Sequence, residues 1–87
     1  MRLPSSVRFP FGYTCRIKQV SIPEMRTIEE DDAEEETSDG LWIAAMRTIY
    51  ILKSLPVRRK RYVLGHELGH AFLDWQHFCL DAGAMKN

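Results

Sequence analysis

The residues of this chain best suited to chemistry are His66, Glu67 and His70, in the stretch VLGHELGH that runs from Val63 to His70. Side chains four positions apart on a helix project from one face a turn apart, so imidazoles at 66 and 70 can meet a single divalent ion at about 2.0 to 2.1 Å. Glu67 follows His66 by one position and leans to the side of that pair, where its carboxylate can reach a water on the ion without ligating the ion itself. A metal so placed acidifies and polarises the water, the glutamate takes its proton, and the resulting nucleophile attacks a carbonyl that the metal also polarises. Chance would produce an HExxH in a chain this short on the order of a few times in a thousand. Gly69, inside the same stretch, costs a helix about 1 kcal/mol relative to Ala, a cost that close packing beside a metal would explain.

A helix to carry these residues should start near Pro56, because proline lacks the N–H that the first helical position leaves unpaired anyway. The spacing predicts a helix over 56–78. Its apolar line runs Leu64, Leu68, Ala71 with Phe72, Trp75 and Cys79, in steps of three and four, so that face packs on a sheet and His66 and His70 fall on a neighbouring one. Ahead of it, RTIYILK from Arg47 to Lys53 is dense in β-branched and aromatic residues and reads as a strand. A further strand begins at Tyr13 in YTCRIKQVSI, where Tyr13, Cys15 and Ile17 alternate with Thr14, Arg16 and Lys18. Val20 and Ile22 carry the opposite parity, so either a bulge falls near Lys18 and Gln19 or the strand ends there. Between the strands, EEDDAEEETSDG (29–40) has no apolar periodicity and reads as an exposed acidic loop. The order strand, acidic loop, strand, long helix, short tail makes a single α+β domain over 1–87.

A chain of 87 residues has room for one domain, and at this size it buries roughly 60 to 65% of the surface exposed when unfolded. Its hydrophobic content of 45% is that of a globular chain. Twelve basic and twelve acidic residues give a formal charge of zero, yet eight of the acids lie within the eleven residues from Glu29 to Asp39. No overall basic field argues for nucleic acid. The run RRKR, Arg58 to Arg61, falls in the first turns of the helix, where cations oppose the helix dipole, and reads as a solvated face paired with the acidic loop. Cys15 and Cys79 share no paired spacing and read as free, buried thiols of an intracellular chain. The opening MRLPSSVRFPFG has no apolar signal region, and no run is long enough to span a bilayer. The expectation is a soluble cytoplasmic protein with no membrane and no nucleic-acid partner.

HELGHAFLD resembles the active-site helix of zincin metallopeptidases, in particular the gluzincin-like group. RTIYILKSLP leading into RRKRYVLGHELGHAF is similar to the ImmA/IrrE-type and minimal gluzincin-type domains of bacteria and their phages. The likeness covers roughly Arg47 to Trp75. It implies a small mixed sheet with the long active-site helix across one face, Zn2+ as cofactor, and a peptide or protein substrate. In such families the strand before the helix is commonly the edge to which an extended peptide adds as a further strand. The function expected is a zinc-dependent metallopeptidase with His66 and His70 as ligands and Glu67 as general base. The alternative is a non-catalytic metal-binding regulatory or partner-binding module that retains the HExxH site.

A catalytic zinc site normally takes three protein ligands and a water. The glutamate that gluzincin-like families place on a later helix is absent, since seventeen residues follow His70 and none is Glu. The shorter pattern with a glycine turn fails at Leu73 and Gln76. Asp74, His77, Cys79 and Asp81 are left. On a continuing helix Asp74 lies about 9 Å along the axis from the midpoint of the histidines, beyond reach of its carboxylate. His77 works only if the helix stops near Trp75. Asp81 follows the second histidine by eleven residues, the offset seen in deuterolysin-like aspzincins, and ranks first, with His77 second. Otherwise solvent or a neighbouring chain completes the site. Tyr50 and Tyr62 are the candidates for stabilising an oxyanion.

Overall fold

The computed structural model describes residues 2–29 and 38–81. Strands β1 (Ser6–Phe9) and β2 (Tyr13–Val20) form a hairpin, followed by helix α1 (Ile22–Glu29), strand β3 (Gly40–Ile43), a 3-10 turn (Ala44–Met46), strand β4 (Thr48–Leu52) and helix α2 (Val57–Asp81). The sheet order is β1-β2-β4-β3. β1 pairs antiparallel with β2, β3 antiparallel with β4, and β2 parallel with β4. This is the small mixed sheet of an α+β fold, with the long helix lying against β3 and β4.

The parity slip in β2 involves no bulge. Pairing with β4 is unbroken from Arg16 opposite Thr48 to Val20 opposite Leu52. Ile17 clusters with Ile49, Ile51, Val63 and Leu64, and Tyr13 and Cys15 cluster with Ala71, all on the side covered by α2. Val20 instead joins Tyr50, Leu52 and Met25 of α1 on the opposite side. Each face of the central strands is thus covered by a different helix, and β4 is buried at all five positions. A strand buried on both faces loses alternation and reads as a continuous apolar run, as TIYIL does.

Ile22 lies in α1 rather than in the strand, and α1 is an element the apolar pattern did not reveal. Its start is a capping box: the Glu24 N–H donates to Ser21 Oγ (3.3 Å) and the Ser21 N–H donates to Glu24 Oε1 (3.1 Å). Pro23 sits in the first turn, where no intrahelical partner is lost. The helix buries Met25 completely.

Two further connections fix α2. At the β1–β2 hairpin, Phe11 (φ 66°) and Gly12 (φ 76°) both take left-handed backbone, which suits glycine and costs a phenylalanine about 1–2 kcal/mol. Trp75 of α2 holds that turn, its indole N–H donating to the Pro10 carbonyl at 2.9 Å and its ring stacking on Phe9 and Phe11 at 5.8 and 6.5 Å. Arg47, also left-handed (φ 48°), closes the 3-10 turn and lays its guanidinium over Tyr13 at 4.2 Å and over Phe78 of α2 at 5.1 Å. α2 therefore continues as one helix beyond the expected end at residue 78.

Two expectations change. The strand preceding α2 is not an edge, because β4 lies between β2 and β3; the edge beside the helix is β3. Phe72 lies outside the buried line of α2, exposed and leaning on Trp75, while Val63 and Glu67 join that line. Cys15 and Cys79 are free and buried, as expected. Among the described residues no helix is long and apolar enough to cross a membrane.

Candidate metal centre

α2 begins where the sequence places it: the Lys60 N–H donates to the Pro56 carbonyl at 2.9 Å, closing the first turn. From there the helix carries Val63, Leu64, Ala71 and Cys79 inward and leaves His66 and His70 exposed. The two imidazoles stand one turn apart with ring centroids at 5.1 Å and planes crossed at 78°. Two nitrogens of such a pair suit adjacent positions of a tetrahedral ion.

Glu67 turns the other way, into the contact between α2 and β3, and is only 9% exposed. β3 reaches this contact through Gly40, where a Cβ would fall 2.2 Å from Val63 Cγ1 and 3.4 Å from Glu67 Cγ. Only glycine lets the strand come this close, so Gly40 sets the distance between the edge strand and the helix. No buried side-chain oxygen or nitrogen among the described residues lacks a hydrogen-bond partner. A carboxylate so nearly enclosed must therefore open onto solvent, and it does so in a cleft of about 350 Å3 lined by Ser38, Asp39, Gly40, Arg59, Tyr62, Val63, His66 and Glu67.

The acidic run and the basic run meet at this cleft. Asp39 accepts from Arg59 Nε at 2.9 Å, and the Arg59 guanidinium lies 5.2 Å over the ring of Tyr62. At the start of the run, the Glu29 carboxylate takes the Ser38 N–H (3.2 Å) and hydroxyl (2.8 Å). Residues 30–37 of the expected acidic loop lie outside the described residues. Farther along α2, Asp74 accepts a hydrogen bond from the Trp42 indole and so ties the edge strand to the helix a second time.

The other candidates do not gather here. Because α2 is continuous through Asp81, Asp81 stands about 16 Å along the axis beyond His70 and His77 about 10 Å beyond it. The structure brings neither to the histidine pair, and the condition that would have admitted His77, a helix ending near Trp75, is not met. No group of three or more His, Cys, Asp or Glu residues able to hold a metal occurs among the described residues. A methyl group on Gly69 would meet nothing within 4 Å, so no close approach there requires a glycine. Tyr50 is buried on the α1 side of the sheet with its hydroxyl 3.7 Å from Met46 Sδ, whereas Tyr62 lines the cleft.

Sequence reasoning did not find the far wall of the cleft, Ser38 to Gly40, because it depends on β3 pairing with β4. The local signal was a glycine placed between the acidic run and the apolar LWI. A family model described as the IrrE N-terminal-like domain, a peptidase family, matches residues 21–82, from the residue before α1 to just past α2. No curated protein and no solved structure matches the chain.

Proposed function

Because the chain belongs to the IrrE N-terminal-like peptidase family, we propose that it is a zinc-dependent metallopeptidase in which His66 and His70 hold the ion and Glu67 is the general base. The observation that carries this reading is the exposed histidine pair at 5.1 Å beside a nearly enclosed glutamate that opens onto a cleft. A bound Zn2+ would polarise a peptide carbonyl and acidify an attacking water. Glu67 accepts the proton as the water oxygen adds to the carbonyl carbon, and returns it to the amine when the C–N bond breaks. Enclosure between α2 and β3 keeps Glu67 at the cleft for both transfers. An extended peptide would lie on the side of β3 that pairs with no strand among the described residues; the first residue of β3, Gly40, touches the Glu67 side of α2.

The second reading is a metal-binding regulatory module without turnover. It is favoured by one observation, that no third protein ligand joins the histidines among the described residues. A two-histidine site holds metal less tightly and leaves more positions to water. The zinc-loaded chain should cut members of a random peptide library, and Glu67→Gln should bind zinc as well as the parent does while cutting nothing. Zinc binding by the parent with no cleavage at any pH would discard the peptidase and leave the regulatory module.

A further inference from the structure

We infer that Tyr62 is the residue that hydrogen-bonds the oxyanion formed when water adds to the substrate carbonyl, an assignment that rests on the peptidase reading. Tyr62 precedes His66 by one helical turn, so the two side chains occupy one stripe of α2, and both line the cleft onto which Glu67 opens. Tyr62 is 66% exposed, the most exposed of the large apolar or aromatic side chains among the described residues. Its hydroxyl has no hydrogen-bond partner among those residues, so the donor is available to a ligand in the cleft. Arg59 lies 5.2 Å over the face of the ring and is itself paired with Asp39 at 2.9 Å. That arrangement places the Arg59 cation against the face of the phenol ring. As the water oxygen bonds to carbon, the carbonyl π pair moves onto oxygen, and the Tyr62 O–H donates to that oxygen while keeping its proton. Tyr50 cannot do this from the buried, opposite face of the sheet, and Tyr13 is buried under Arg47.

The test uses the full chain loaded with zinc, a phosphinic pseudopeptide that mimics the tetrahedral oxyanion, and an uncleaved peptide of the same sequence. Tyr62→Phe should weaken the phosphinic ligand about ten- to a hundredfold. The same variant should leave zinc affinity, and affinity for the ordinary peptide, within about twofold of the parent, because a donor aimed at the oxyanion contributes little to either. In turnover the loss should fall on kcat and not on KM. Arg59→Ala, which removes the group positioning the ring, should give a smaller loss of the phosphinic ligand. Equal phosphinic affinity in parent and Tyr62→Phe, with zinc bound in both, would overturn the role of Tyr62 and leave the peptidase standing. Failure of the zinc-loaded parent to bind the phosphinic ligand, or of the parent to bind zinc, would overturn both.

Discussion

Replacing His66, Glu67 or His70 removes different things, and zinc-dependent melting separates them. An ion that binds only the native chain adds RT ln(1 + [L]/Kd) to its stability, about 2.7 kcal/mol at a hundred times Kd. His66→Ala and His70→Ala should each abolish most of the zinc-induced rise in melting temperature, while Glu67→Gln should keep it, since that change removes the proposed base and no proposed ligand. Asp81→Asn should keep it too, because an unbroken α2 holds Asp81 far from the histidines; a greatly reduced shift in that variant would mean that the end of the helix unwinds to bring the carboxylate in. Another single-residue prediction concerns pH. Burial pushes the Cys15 thiol above its ordinary value of 9.0, the nearby Asp74 carboxylate adds to the rise and Arg47 opposes it. A thiol that ionises more readily in the unfolded chain leaves stability intact below about pH 9, and stability is lost as pH rises from there through the folded value. Urea melts of the parent should therefore weaken on the alkaline side, and Cys15→Ala should flatten that decline.

At the scale of elements the sharpest constraint is the approach of β3 to α2. Gly40→Ala puts a methyl 2.2 Å from Val63 Cγ1, an overlap that should cost about 1–3 kcal/mol of stability in denaturant unfolding. Val63→Ala alone should also destabilise by leaving a void, but the double variant should cost less than the sum, because each change relieves the other. Strict additivity would show that the strand does not sit against Val63. Legibility in the sequence follows the same division between local and distant causes. β4 and α2 were readable because β-branched density and Pro56 act within a few residues. α1 was equally local, written in Ser21, Pro23 and Glu24, and was missed because it is short and has only one buried side chain, Met25. The placement of β4 at the centre of the sheet, and hence of β3 at the edge, is set by pairing with β2 some thirty residues away. No local pattern records that. The histidine pair and Glu67 were legible for the opposite reason, since one helix fixes all three. The cleft wall from Ser38 to Gly40 reaches them only through the fold.

At the scale of the whole molecule, the core is divided. Val20, Met25, Tyr50 and Leu52 form one cluster beneath α1, and two others lie under α2, around Ile17 with Ile49 and around Tyr13 with Cys15. α2 is the element shared by the last two, and it carries the proposed metal ligands along its outer side. A chain of this size is marginally stable, so zinc held by α2 should act on unfolding as a whole and not only on the site. With about 4–8 °C of melting temperature for each kcal/mol in a domain of this size, zinc at a hundred times Kd should raise the midpoint by roughly 10–20 °C. The concentration of protein then tells what completes the coordination. If water fills the remaining positions, the shift at fixed free zinc is the same at dilute and concentrated protein, and one ion binds each chain. If a group from a second copy fills them, the shift grows with protein concentration and the bound species sediments as a dimer. The exposed position of His66 and His70 allows either geometry. The separation of charge on the chain favours the first at low salt: the run from Glu29 to Asp39 holds eight acids and no bases, which leaves twelve bases against four acids elsewhere. The remainder of each copy is thus strongly cationic, including the first turns of the histidine helix from Arg58 to Arg61, so two copies brought together along α2 set like charges near one another. A concentration-independent shift at low salt is therefore the expected result, and a zinc-dependent dimer that already forms at low salt would contradict it.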